Sequence, residues 1–392
     1  MEKTIDECFF QIQNGANIKQ GDVDGGYPIT RIETTANDKF NRDRMGYAGI
    51  TDLSKYESYV LEDGDLLMSH INSVQYLGRT VLYEKQENET IIHGMNLLRL
   101  KARRDIINPA YARYCFYGHP FRSQVANITK KSVNQASFAV KDLKQLKIDV
   151  PEMNRQNQIV EILNKTNELI EKRQQELNTL DELIKARFVE VFGERGKVVP
   201  LTDYVWFQEG PGVRSVDFTD NGTILLTGSN INNNEISFGY KSDRFVSNDL
   251  ASGKYAHFIC DKDDILVVSS AIAPEKFDKK VTIVKEDKKY CLNTGIIRFK
   301  PNLEVMTLGY FREFLKTDYF KHQVMAEMRG IAQMHFGPSH LKQMTILLPE
   351  SIEQQIEFEK FVKQVDKSKV VVQKALDETQ TLFDSLMQEY FG

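Results

Sequence analysis

The sequence predicts an α/β protein of two tandem globular domains, each followed by a long helix, the two helices pairing as an antiparallel coiled coil. Three observations lead there. The 392-residue chain repeats itself at a spacing of 198–199 residues. Short β-type runs punctuated by Gly and Asx fill the first part of each repeat. Each repeat then closes with a stretch, 152–190 and 351–390, that contains neither Gly nor Pro.

The repeat decides the organisation, because self-similarity at a fixed period is the mark of a duplicated unit. LKQLKIDVPEMNRQ, from Leu143, lies over LKQMTILLPESIEQ, from Leu341, at an offset of 198. Upstream the offset is 199: Gly64–Ser69 (GDLLMS) lies over Asp263–Ser269 (DDILVVS) with one trailing mismatch, and His93–Lys101 over Leu292–Lys300, which sets Arg99 on Arg298. Tyr111 falls on Tyr310, Arg122 on Lys321, Gln124 on Gln323 and Val125 on Val324. The halves end alike, in VFG (Val191–Gly193) and YFG (Tyr390–Gly392). Four segments follow: a first domain at 1–150, a first long helix at 151–193, a second domain at 194–349 and a second long helix at 350–392.

Within the first domain DLLMSHI, YLGRTVLY and MNLLRLKA read as strands. One helix is expected, because Asn108-Pro109 offers an N-cap and a first-turn proline ahead of AYARYCFYG. The second domain matches with DILVVSSAI, KVTIVK and TGIIRFK, and with LGYFREFLKTDYFKHQV as its helix. The two closing segments carry a 4-3 heptad. In the first it runs through Ile159, Leu163, Thr166, Ile170, Arg173, Leu177, Leu180, Ile184, Arg187 and Val191. In the second it runs through Phe358, Val362, Val365, Lys369, Val372, Leu376, Thr379, Phe383, Leu386 and Tyr390. A sustained 4-3 pattern is a coiled-coil seam. At 1.5 Å per residue each helix makes a rod roughly 55 Å long. Two amphipathic helices, each packed only on its own domain, would be the alternative. An antiparallel pair would hold the domains at opposite ends of the rod.

Composition bounds the function. With 41% hydrophobic and 27% charged residues the chain is globular in type. No apolar run approaches the roughly 18 residues of a membrane span, and the acidic start MEKTIDECFF is unlike a signal peptide. Cys8, Cys115, Cys260 and Cys291 form no CxxC pair, so reduced thiols and a cytoplasmic location are expected. Net charge is −4, and both domains are nearly neutral: 20 basic against 19 acidic residues in 1–150, and 20 against 20 in 194–350. Indiscriminate coating of nucleic acid is thereby disfavoured, and any anion-binding surface must be a local patch made by folding.

A search for catalytic constellations finds none: no GxGxxG or GxxxxGK[ST] phosphate loop, no HExxH or comparable ligand spacing, no GxSxG elbow. Ile107-Asn108-Pro109-Ala110-Tyr111 is similar to the NPPY loop of amino-methyltransferases but lacks the second proline, and a helix cap explains it better. What remains are polar and basic loops at equivalent places in both halves. Lys130, Lys131, Asn134 and Gln135 stand before the final strand of the first domain, and Arg329 and Gln333 before that of the second. Asn72 and Arg79 lie on a second loop, shared with His70, while Lys19 and Arg214 lie on a third pair of Gly-containing loops. Lys and Arg can neutralise phosphate, whereas Asn, Gln and Arg can pair with base edges. These ten residues are the candidate DNA contacts, against the alternative of ordinary solvated loops.

The junctions LKQLKIDVPEMNRQ and LKQMTILLPESIEQ, the helix ends ARFVEVFG and SLMQEYFG, and the GDLL and DDIL strands carry a resemblance over essentially the whole chain. The layout resembles the specificity subunit of type I restriction-modification systems. In the alignment at offset 198, Arg155 replaces the Glu that the family carries before Gln and that Glu353 supplies in the second copy. The resemblance implies two target-recognition domains that read the halves of a bipartite, asymmetric DNA sequence, and no catalysis by the chain itself. It implies two modification subunits that use S-adenosylmethionine to methylate adenine, and restriction subunits that use ATP and magnesium. The rival readings are a solitary methyltransferase, disfavoured by the missing cofactor motifs, and a coiled-coil protein-interaction scaffold without sequence-specific DNA binding. A specificity subunit from a system with a different subunit composition would look almost the same.

Overall fold

A computed structural model describes residues 1–21, 25–133, 135–193, 196–239, 241–326 and 333–392. The chain forms two compact units, one of Met1–Gln174 with Lys374–Gly392 and the other of Gln175–Gln373. Among the described residues no helix is long and apolar enough to cross a membrane.

The first half runs β1 (Glu2–Thr4), α1 (Ile5–Cys8), β2 (Phe9–Asn14), β3 (Leu66–Ser69), β4 (Ile71–Asn72), β5 (Thr80–Leu82) and β6 (Leu97–Ala102). It continues through α2 (Pro109–Tyr117), α3 (His119–Ile128), β7 (Lys130–Lys131), β8 (Ala136–Ser137), α4 (Val140–Leu143) and β9 (Lys147–Asp149) to the long helix α5 (Met153–Val191). An antiparallel sheet orders β2-β6-β3-β5. Its middle strands β3 and β6 are buried almost throughout, which is why LLMS and LLRLKA read as apolar runs rather than as clean alternation. Strand β1 pairs with β9.

The second half begins with β10 (Lys197–Pro200), α6 (Leu201–Tyr204), β11 (Val205–Glu209), β12 (Phe218–Thr219), β13 (Thr223–Leu226), β14 (Ile231–Asn232), β15 (Glu235–Ile236), β16 (Arg244–Val246) and α7 (Asn248–Ser252). Then come β17 (Ile265–Val268), β18 (Val281–Ile283), β19 (Tyr290–Leu292), β20 (Ile296–Pro301), α8 (Leu308–Phe314), α9 (Asp318–Ala326), α10 (Pro338–Leu341), β21 (Thr345–Leu348) and α11 (Ile352–Phe391). Its sheet β11-β20-β17-β18 and its pair β10-β21 repeat the first half, and a further sheet, β12-β16-β13-β19, is added.

Four sets of paired residues hold this common frame. A Cβ on Gly15 would stand 1.8 Å from the Gly94 carbonyl oxygen, and one on Gly210 would stand 2.2 Å from that of Asn293, so both approaches require glycine. Arg99 is buried and donates to the carbonyls of Val60 (2.7 Å) and Ser58 (2.6 Å) and to Gln13 Oε1 (2.9 Å). Arg298 does the same to Ile259 (2.8 Å), His257 (2.7 Å) and Gln208 Oε1 (2.6 Å). The Gln124 amide clasps the backbone of Lys147, and the Gln323 amide that of Thr345. Gln156 accepts from the Asn108 N–H at 2.8 Å, and Gln355 from that of Thr307 at 2.9 Å.

That last pair corrects the repeat alignment. The offset of 198 across the junction would set Gln156 on Gln354, but Gln355 is the buried glutamine and Gln354 is exposed. One extra residue between Pro349 and the helix restores the 199 spacing, so Arg155 corresponds to Gln354 rather than to Glu353.

A second correction concerns the segment read as a single helix in each domain, which is two helices, α2 and α3 in the first and α8 and α9 in the second. Gly118 leaves α2 in an extended conformation and Pro120, which has no N–H, opens α3. In the second half the break falls at Thr317, whose hydroxyl accepts from the Phe320 N–H at 3.3 Å. The expected cap is present: Asn108 Oδ1 accepts from Ala110 N (2.8 Å) and Tyr111 N (3.4 Å).

Within each unit the long-helix segments run side by side in opposite directions. In the first, Arg155 lies over the Tyr390 ring at 5.4 Å, and Ile159, Val160, Leu163 and Phe391 join the domain core. In the second, Asp181 meets Lys369 at 2.5 Å, Arg187 lies over Phe361 at 5.9 Å, and Phe188 meets Phe358 at 5.6 Å. The expected seam is shielded except at Arg187, which is exposed while Phe188 is buried in its stead. The helix turns every 3.6 residues rather than 3.5, and by its C-terminus the buried line has drifted by one position.

Candidate nucleic-acid interface

The candidate loop of the first domain is a β-ribbon. Strand β7 pairs with β8 (Lys130↔Ser137, Lys131↔Ala136), and the turn is closed by Ser132, whose N–H and hydroxyl both donate to the Gln135 carbonyl at 2.8 Å. Strand β8 also pairs with β4 (Ile71↔Ser137, Asn72↔Ala136). The register therefore sets Lys131 and Asn72 on either side of Ala136. Lys130, Lys131 and Gln135 are all exposed. A two-stranded ribbon of this kind fits the major groove of DNA, and the two lysines supply the charge for phosphate.

Four of the candidate residues are thus brought together: Asn72, Lys130, Lys131 and Gln135. Asn134 and Arg329 lie outside the described residues. Gln333 is exposed beside Met334, whose backbone bridges Ile272 just as β8 bridges β4. Phe138 N donates to the His70 carbonyl and Phe336 N to that of Ser269, so Gln135 and Gln333 occupy equivalent places. Lys19 and Arg214 are exposed on the loops that leave β2 and β11.

One member of the second loop, His70, serves the fold instead. His70 is buried, its Nδ1 has no hydrogen-bond partner among the described residues, and burial pushes its pKa down to about 4. A neutral imidazole turned inward cannot neutralise phosphate. Arg79 lies 4.6 Å from the Tyr76 ring and 3.6 Å from Asp38. Sheet register pairs Arg79 with Lys280, since Thr80 faces Met68 as Val281 faces Val267. Lys280 is itself spent on the carbonyls of Gly228 (3.0 Å) and Ile231 (2.8 Å) and on Asn232 Oδ1 (2.6 Å).

Sequence reasoning also passed over the exposed apolar side chains of the first domain's reading edge. Val133, at the ribbon tip, is 99% exposed, and Val74 and Tyr76 follow β4 at 50% and 38%. The corresponding loop of the second domain, at Pro274–Lys279, buries Phe277 and exposes Glu275, Lys276 and Lys279. Among the described residues no group of three or more His, Cys, Asp or Glu is placed to hold a metal. All four cysteines are buried, and burial raises the Cys8 and Cys291 thiols to about 11 and that of Cys115 to about 12.

The architecture has close parallels. The crystal structure of the type I restriction-modification S subunit from M. genitalium superposes with a TM-score of 0.55 at 15% identity, over 100% of this chain and 96% of that one. A second solved structure, described for complex assembly and conformational transition of the type I R-M system, gives a TM-score of 0.51 at 13% identity, over 100% and 97%. At these identities the likeness is one of fold. In sequence, the chain is 35% identical over 181 residues to a Methanocaldococcus jannaschii protein named for the specificity subunit of type I restriction enzyme MjaX, covering 46% of this chain and 42% of that protein. It is 24% identical over 151 residues to the type I restriction enzyme EcoKI specificity subunit of Escherichia coli K12, covering 38% and 32%. The matched stretches thus span less than half the length of these curated relatives. Residues 2–181 and 195–378 each match the type I restriction modification DNA specificity domain, and the chain belongs to that family.

Proposed function

We propose that the chain is the sequence-reading, non-catalytic subunit of a type I restriction-modification complex, working in the cytoplasm. Residues 1–150 and 194–349 serve as two target-recognition domains, each reading one half of a bipartite, asymmetric DNA target. Two modification subunits carrying S-adenosylmethionine dock on it and methylate adenine, and two restriction subunits using ATP and magnesium join where the system has them. The chain itself carries no cofactor. Asn72, Lys130, Lys131, Asn134 and Gln135 serve one half-site and Arg329 and Gln333 the other, with Arg79, Lys19 and Arg214 at the margins.

One observation carries this reading: buried bonds of the frame recur in both halves while the edge after β4 and its counterpart differ. Arg99 and Arg298, Gln124 and Gln323, and Gln156 and Gln355 hold equivalent bonds, yet the Val74–Tyr76 edge is apolar and its counterpart charged. A scaffold for proteins alone gives no reason for two such different reading edges on one frame. The test is methylome sequencing of cells with and without the chain, beside a methylation assay of the purified chain. One bipartite adenine motif should vanish with the chain, and the purified chain should be silent until modification subunits are added. Methylation by the chain alone, or a methylome indifferent to its loss, refutes the reading.

A further inference from the structure

The ribbon has a pattern that the second half repeats. Counting back from Phe138 and Phe336, whose N–H groups make equivalent bonds, Lys131 matches Arg329, Val133 matches Ile331 and Gln135 matches Gln333. The residues between do not match: Ser132 and Asn134 stand opposite Gly330 and Ala332. Both halves thus read basic, any residue, β-branched aliphatic, any residue, glutamine. In the first half Val133 is 99% exposed, so its side chain adds nothing to the core, and Gln135 is exposed beside it. A pattern kept in two domains whose other reading edges differ must engage something the two half-sites share.

We propose that this pattern is an A·T reader common to both half-sites, with Val133 packed on a thymine methyl group and Gln135 paired to an adenine edge. The inference rests on the DNA-reading function above. The chemistry is specific: glutamine makes two hydrogen bonds to adenine N6 and N7, and small apolar groups contact the thymine methyl in the major groove. A β-branched side chain loses little rotamer freedom on contact, and Lys131 supplies charge for the neighbouring phosphate.

The experiment uses the full chain in complex with its modification subunits, and duplexes bearing the motif found by methylome sequencing. Each thymine of the motif is replaced singly by uracil, which lacks only the methyl group. Wild-type binding should weaken about fourfold at one thymine of one half-site, the effect of burying one methyl group. In Val133→Ala that difference should disappear while the response to changes in the other half-site is kept, and Val133→Thr, which retains a methyl, should preserve it. Gln135→Ala should lose about tenfold of the preference for A·T over G·C at the same or the adjacent pair. A wild-type complex indifferent to uracil at every thymine, a half-site without any A·T pair, or Val133→Ala that keeps the full uracil effect overturns the proposal. Absence of any sequence preference in the wild-type complex would instead overturn the DNA-reading function on which it rests.

Discussion

The two domains share a frame and differ in how they fill it. From three strands between β11 and β17, joined by β19, the second domain builds the four-stranded sheet β12-β16-β13-β19, in which β13 runs parallel to β19. Among its described residues the first has isolated bridges there, such as Ile29 to Gly46 and Ile29 to Ile92. Yet the parallel bridge at Ile92 falls where β13 meets β19, and the bridge from Val60 to Ile92 matches that from Ile259 to Cys291. Topology has been kept while regularity has not. The interior positions differ too: His70 and His93 are buried in the first domain, where the second has Ser269 and Leu292. Strand geometry must be common for two domains to present loops alike, but nothing requires the filling between strands to be the same.

If the buried arginines are the common clamp, removing either should be the largest single loss. Arg99→Ala strands carbonyls and the buried Asp65 carboxylate, and Arg298→Ala strands carbonyls beside the buried Asp264, at a cost of about 3–5 kcal/mol each. Arg99 should be the costlier, because Lys300 remains 3.4 Å from Asp264 when Arg298 is removed, although Arg298 itself stands closer to its carboxylate (3.2 Å) than Arg99 does to Asp65 (3.8 Å). Chemical denaturation measures this, and a loss below about 1 kcal/mol in both would remove the clamp from the shared frame.

The histidines should separate the domains by pH. Burial lowers the His70 pKa to about 4 and that of His93 to about 3. The unfolded chain therefore takes up these protons from about pH 6.5 downward while the folded domain does not. Their contribution is intact above pH 6.5 and is lost as pH falls toward 4 and 3, each histidine costing about 2 kcal/mol by pH 5 relative to pH 7. Hydrogen exchange, corrected for intrinsic rates, should show β6 losing protection at pH 5 and its counterpart β20 keeping it. His93→Leu, the residue of the other domain, should blunt that difference.

A smaller effect is expected from the paired glutamines. Gln156→Leu and Gln355→Leu leave the N–H of Asn108 or Thr307 without its acceptor, which should cost about 1–2 kcal/mol each by denaturation. Unequal losses would show that the junction serves one domain more than the other. The smallest effect belongs to the ribbon lysines. Lys130→Ala and Lys131→Ala should leave stability unchanged, weaken DNA binding about equally for every sequence, and each reduce the salt slope by about 1. Loss confined to one base position would make that lysine a base reader instead.

What the sequence by itself determined was everything that repeats or is local: the duplication, the buried strands, the Asn108 cap and most of the heptad seam. Those signals lie within one turn, one strand or one period and need no knowledge of distant partners. Only the tertiary structure decided which polar residues converge. Asn72 reaches the Lys130–Gln135 ribbon because β8 pairs with both β4 and β7. His70 turned inward and Arg79 was committed to Tyr76 and Asp38, although both stood in the same polar loop as Asn72. Gln355 rather than Gln354 took the buried place. Each of these outcomes depends on register between segments far apart in the chain, where a shift of one residue exchanges an inward side chain for an outward one.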